Sequence, residues 1–241
     1  MKQNLNLQRV LLSLFFLPVF LSLFNAFGNR VHVVHPSNAN RSVKYSQLTY
    51  GQLKLCELGL SERAFEHAIT GFQKLVDRGA IENTSIITII DFTKSSAEKR
   101  MFVIDLQSNE VLFHTYVAHG QHSGKDYAKY FSNVPSSYQS SLGFYRTTKT
   151  YMGKNGYSLQ LKGLETGIND KAEDRAIVMH GAPYVSESLI RSQGFIGRSW
   201  GCPAVAQELA KPIIDKIKNG SCLFIYAENP QYYSHTRILR S

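Results

Sequence analysis

The sequence predicts a mainly β domain with flanking helices, an α+β sandwich or barrel. Three observations carry this. Short runs rich in β-branched and aromatic residues recur from Ser85 onward. Tight turns such as MGKNGY separate them, as sandwiches and barrels require. Helical periodicity is confined to two stretches, one before the strands and one near the C-terminal end.

The elements follow in order. Lys2 and Arg9, then an apolar run from Val10 to Leu23, then the small-residue exit Ala26-Phe27-Gly28 form a secretory signal over residues 1–28. An uncleaved anchor is the rival reading, but a span wants about 20 apolar residues, and Ser13, Pro18 and Ser22 interrupt this run. No stable membrane span is expected after cleavage. Residues 29–82 make a lead-in without period, with His32 and His35 solvated, followed by a helix. Ser61 caps that helix, Ala64, Ala68, Phe72, Leu75 and Val76 keep one apolar face, and Leu60 with Phe65 forms a hydrophobic staple. Residues 83–230 carry the strands: Ser85 to Phe92, Met101 to Leu106, Val111 to Ala118, Gly143 to Lys149, Tyr157 to Leu161, Ala176 to Met179 and Leu223 to Ala227. A hairpin turn over 107–110 joins the second and third. Ala206 to Lys218 reads as a helix despite Pro212. Residues 231–241 form a C-terminal tail.

The net charge is +9, and +7 once Lys2 and Arg9 leave with the signal. A basic surface suits nucleic acid, anionic lipid or an acidic polymer. Export makes nucleic acid the poorest partner and an anionic wall polymer a better one; solubility alone is the plainer explanation. Three cysteines are too few for a disulfide scaffold, and an odd count leaves a thiol over. Cys222 in SCLFIYA and Cys56 in LKLCELGL fit buried small hydrophobes. Cys202 stands apart, between Gly201 and Pro203.

Chemistry concentrates in IVMHGAPYVSESLIRSQGFIGRSWGCPAV, residues 177–205. A strand ends at His180-Gly181 and a loop returns to Ser199-Trp200-Gly201-Cys202, so a thiol and an imidazole can meet there. Near its free pKa of about 8.5 a thiol is mostly protonated at neutral pH, and an imidazole takes that proton. Gly201 lets the backbone turn sharply, which can aim its amide and that of Cys202 at an oxyanion. A Cys and a His at this spacing are weak evidence alone; the flanking residues strengthen it.

This segment resembles the catalytic domain of the bacterial L,D-transpeptidases, the YkuD-like family, whose signature is His-Gly, a Gly-containing loop and a closing Ser/Thr-x-Gly-Cys. Here those are His180-Gly181, Gly194 or Gly197, and Ser199 to Cys202. It is more similar still to a murein L,D-transpeptidase branch with the motif RSWGCPA. The texts ITIIDF, VIDLQSNEVLFHTYVAHG, FSNVPSSYQSSLGFYRT, MGKNGYSLQLKGLE and RAIVMHGAPYVSE extend the likeness over about residues 48–227.

The resemblance implies a β-rich L,D-transpeptidase-like fold, a thioacyl-enzyme on Cys202, and peptidoglycan stem peptides as substrate, with no cofactor and no metal. It makes His180 the general base, the carbonyl of Gly181 its orienting partner, and the amides of Gly201 and Cys202 the oxyanion hole. Arg198, Ser199, Trp200, Tyr184 and His119 would bind substrate, Arg198 through a carboxylate; a solvated surface Arg198 and a His119 that only packs at a strand end are the alternatives. The chain departs from the better-studied members in two places: Trp200 stands for a His, and Ala204 for an Arg. Trp200 either walls the thiol or packs in the core.

An acceptor amine would give 3-3 cross-links, whereas water would give L,D-carboxypeptidase or endopeptidase activity. The sequence distinguishes neither, and the family name favours the amine. A reading of another class is a non-catalytic wall-binding domain whose thiol pairs with Cys56 or Cys222. His114, His119 and His122 lack the companions of a metal site. Ser96-Ala97-Glu98-Lys99 lacks the companion motifs of serine penicillin-binding enzymes.

Overall fold

The computed structural model describes residues 49–240. The signal and lead-in expected up to residue 48 lie outside the described residues. Helix α1 (Glu62–Asp77) begins where Ser61 Oγ accepts the Ala64 amide at 3.3 Å. Its apolar face buries Ala64, Phe65, Ala68, Ile69, Phe72 and Leu75. Leu60 and Phe65 are both buried at its start.

Strands β1 (Asn83–Asp91), β2 (Met101–Asp105), β3 (Glu110–Thr115), β4 (Gly143–Gly153), β5 (Gly156–Gly163), β6 (Val178–Ala182), β7 (Ala204–Ala206) and β8 (Ser221–Tyr226) form one sheet in the order β3-β2-β1-β8-β4-β5-β6-β7. Two joins are parallel, β1 to β8 and β6 to β7; the rest are antiparallel. Each parallel join needs a crossover. That into β7 carries α2 (Glu187–Gln193), and α3 (Gln207–Ile217) links β7 to β8. Pro212 sits inside α3, which buries Ala210, Ile213, Ile214 and Ile217.

The sheet curls until its edges nearly meet, so one almost closed barrel takes the place of two facing sheets. The closure is made just past β3. There the chain leaves β2 and bridges Ala118 to Ala204 and Gly120 to Ser199. The strand expected to reach Ala118 therefore stops at Thr115. The closing segment spends its amide hydrogen bonds on the other edge, and it holds the chain on both sides of Cys202.

Aromatic rings fill the core: Phe144 stacks on Phe224 at 4.2 Å, and Phe102 is fully buried. Helix α1 lies close because Gly71 has no side chain; a Cβ there would stand 2.0 Å from Phe144 Cζ. Its residues share one core with the strands, so residue 82 marks no boundary in packing.

The expected tail also proves structured, as α4 (Pro230–His235) and α5 (Arg237–Arg240). Tyr232 and Ile238 are buried, and the hydroxyls of Tyr232 and Thr236 donate to the buried Glu165 carboxylate. Cys56 is exposed rather than buried, Cys222 is buried, and all three cysteines are free. No helix among the described residues is long and apolar enough to cross a membrane.

Candidate active site

The site is built where β6 meets β7. His180 pairs with Ser158 of β5 and Ala204 of β7, and Cys202 lies two residues before Ala204. Gly181 is pressed under α3, where a Cβ would stand 2.9 Å from that of Ala210. The Gly181 carbonyl sits 2.9 Å from His180 Nδ1. A carbonyl only accepts, so Nδ1 carries the proton and Nε2 keeps its lone pair.

The turn bearing Cys202 is tied from within. Ser199 Oγ donates to the Cys202 carbonyl at 2.6 Å and accepts the Gly201 amide at 3.0 Å. Gly201 has φ +119°, and a Cβ there would stand 2.8 Å from the Gln139 carbonyl oxygen. Both conformation and space therefore require glycine. Ser140 Oγ donates to the Gly201 carbonyl at 3.1 Å and accepts the Gly120 amide at 3.1 Å. The Ser199 amide donates to the His119 carbonyl and the Ala118 amide to the Ala204 carbonyl.

A buried pair supports this brace. Arg100, fully buried, donates to the carbonyls of Val117 and Lys94 and, from Nη2, to His119 Nδ1 at 2.8 Å. His119 then donates from Nε2 to the Gly124 carbonyl at 3.3 Å. Burial first, then the Arg100 charge, holds the His119 imidazole down to about 3, so it stays neutral. Nothing in the text EKRMFVID marks Arg100 for this duty: a cation beginning a strand normally lies at the surface.

Burial pushes the Cys202 thiol up, opposed by the Val178 amide at 3.5 Å and the charge of Arg175. Burial also lowers the His180 imidazole. Thiol and imidazole are therefore both neutral at rest. The Cys202 Sγ lies 3.7 Å from the Ala176 carbonyl, and among the described residues no hydrogen bond joins it to His180. A cavity of about 260 Å³ opens on His180, Gly181, Tyr184, Lys154 and Gln207.

The other expected site residues divide. Tyr184 stays at the cleft, its phenol pushed up to about 12 by burial and then by Cys202. Trp200 is 72% exposed and meets Tyr138 at 5.5 Å, so it does not pack in the core. Arg198 is exposed and donates to the Gly124 carbonyl at 3.2 Å. Three expectations are corrected. His119 is fully buried and cannot touch substrate; it braces the backbone that holds Ser199. Ser199 is buried, with its hydroxyl spent inside the turn. The Gly201 amide is likewise spent on Ser199, so it is no oxyanion donor. His114 stacks on Phe102 and His122 contacts the Ser137 carbonyl, each away from His119's partners.

Residues 57–226 match the family model of the L,D-transpeptidase catalytic domain. The chain belongs to that family. The match begins ahead of α1, which makes this helix part of the L,D-transpeptidase domain, and it encloses both His180 and Cys202. Among curated proteins none matches in sequence. Solved structures similar to this L,D-transpeptidase domain include an L,D-transpeptidase from Mycobacterium smegmatis, 13% identical over 59% of each chain with a TM-score of 0.37. An L,D-transpeptidase (Yku) from Stackebrandtia nassauensis is 12% identical over 69% of this chain and 68% of its own, with a TM-score of 0.37. The helical cell shape determining protein Pgp2 from Campylobacter jejuni is 13% identical over 66% of this chain and 56% of its own, with a TM-score of 0.40. The chain thus spans about three fifths of the length of the mycobacterial structures it matches.

Proposed function

We propose that this domain is a cysteine acyltransferase of the cell envelope, acting on peptidoglycan stem peptides with Cys202 as nucleophile and His180 as general base. The observation that carries the reading is the tautomer of His180. With Nδ1–H held by the Gly181 carbonyl, the Nε2 lone pair is free on the strand paired with the chain just after Cys202. Because the resting pair is neutral, the thiolate forms only as Nε2 accepts the thiol proton.

The sulfur attacks the carbonyl carbon of the third stem residue, and the carbonyl electrons move to oxygen. The Cys202 amide, which donates to no partner among the described residues, is the remaining oxyanion donor of this turn. The tetrahedral species collapses, the C–N bond breaks, and His180 returns its proton to the departing terminal D-amino acid. A thioester on Cys202 remains. The amine of a second stem then attacks it and restores the thiol, leaving a 3-3 cross-link. Export follows from residues 1–28 and puts the enzyme beside this polymer.

Incubation of the purified protein with tetrapeptide muropeptides, beside Cys202→Ala, tests the proposal by mass spectrometry. The wild type is expected to release the terminal D-amino acid and form a cross-linked dimer, and Cys202→Ala neither. Tripeptide alone would make water the acceptor. Equal substrate recovery from both proteins, with no adduct after carbapenem challenge, would overturn the enzyme reading.

A further inference from the structure

Arg175 lies just before β6, outside the residues that the motif singles out. Its guanidinium is partly buried and makes four contacts, none of them with a carboxylate. Nη1 donates to the Ser132 carbonyl at 2.7 Å and to Ser141 Oγ at 3.2 Å. Nη2 donates to the Gln139 carbonyl at 2.5 Å and to Ser137 Oγ at 3.4 Å. The same Nη2 stands 3.2 Å from where a Cβ on Gly201 would be, beside the turn that bears the thiol. Among the described residues no acidic side chain pairs with it.

A cation tied to neutral acceptors keeps its charge while losing part of its hydration, an arrangement costly unless an anion forms nearby. The anion that the proposed chemistry forms there is the Cys202 thiolate. We propose that Arg175 is a positioning residue with two duties: it straps the 132–141 segment against the Cys202 turn, and its uncompensated charge favours the thiolate. The strap is direct, because the segment it holds includes Ser140, whose hydroxyl grips the Gly201 carbonyl. The electrostatic duty agrees with the downward pull of Arg175 on the otherwise raised thiol. Tyr184 also feels the thiol, and neither its phenol nor the neutral His180 imidazole brings a resting positive charge. The proposal rests on Cys202 acting as nucleophile.

The pH dependence of iodoacetamide alkylation, read at Cys202 by peptide mass spectrometry, tests it in the full chain. Reading that peptide alone keeps exposed Cys56 out of the measurement. For Arg175→Gln the profile should move up by about one pH unit, which lowers the rate near neutral pH roughly tenfold. Arg175→Lys keeps the charge and should stay within about threefold of wild type while losing part of the strap. A folded Arg175→Gln with the wild-type profile would overturn the electrostatic duty. So would an Arg175→Lys profile displaced as far as that of Arg175→Gln. Should Arg175→Gln fail to fold, the salt dependence of the wild-type profile decides: a profile that moves up with added salt supports the charge, and one that salt leaves in place refutes it. An Arg175-dependent profile in a protein that never acylates on muropeptides would instead sink the proposed function and leave the charge effect standing.

Discussion

At the scale of single residues, neighbours in the chain and partners in space assign different duties. His180 and Gly181 are adjacent in sequence, and their hydrogen bond is local, so the imidazole's orientation needs little more than the strand. His119 and Arg100 are 19 residues apart, and their pairing waits on the barrel. That pairing sets a pH dependence of stability. The folded His119 is lowered to about 3 against an unfolded value of about 6.5. Above 6.5 both states hold the neutral ring and nothing changes with pH. Below it the unfolded chain binds a proton that the folded one refuses, so stability falls as pH drops from about 6.5 towards about 3, by at most roughly 1.4 kcal/mol per pH unit. His67, His114 and His180, all lowered by burial, add slopes of the same sign. Urea midpoints between pH 7 and pH 5 should therefore fall more steeply in the wild type than in His119→Gln; equal slopes would refute the assignment.

At the scale of elements, most of what periodicity and capping predict is present. Ser61 caps α1, the 107–110 turn joins β2 to β3, and α3 runs through Pro212. The elements that escape the pattern are short or spend their hydrogen bonds far away. Three-residue β7 has too few positions to show alternation, and α2 buries none of its residues, so it has no apolar face to read. Gly71 shows an element fitted to its neighbour. Glycine inside a helix costs about 1 kcal/mol against alanine, yet a methyl here would overlap the Phe144 ring. Overpacking of this kind costs typically about 1–3 kcal/mol. Gly71→Ala should thus lower the melting temperature despite its better helix propensity. Adding Phe144→Leu should recover part of that loss, so the double variant falls short of the two single effects combined. A higher melting temperature for Gly71→Ala would contradict the contact.

At the scale of the molecule, closure of the barrel turns a list of strands into a site. The segment after β3 crosses to β7 and bonds on both sides of Cys202. The C-terminal helices complete another part of the core, where Tyr232 and Thr236 supply two of the hydrogen bonds to the buried Glu165, with the Phe144 amide giving a third at 2.8 Å. Deleting residues 230–241 should leave that carboxylate underbonded and strip Tyr232 and Ile238 from the core. The expected cost is at least about 2 kcal/mol. Thermal unfolding followed by circular dichroism checks it, and an unchanged midpoint would mean that these helices are a passive tail.

The sequence by itself determined the mainly β class, the capped first helix, and the proximity in chain of Cys202 to a strand ending in His-Gly, because periodicity, capping and turn chemistry act over a few residues. The departures from its reading lie in how the Cys202 turn closes on itself and in the long-range contacts that hold it. Ser199 and the Gly201 amide close on each other inside the turn, His119 disappears beneath it, and Arg100 and Arg175 arrive from distant segments to hold it. Only tertiary structure decides these, because the shape of the turn and the burial of its neighbours are fixed by segments that meet when the sheet closes.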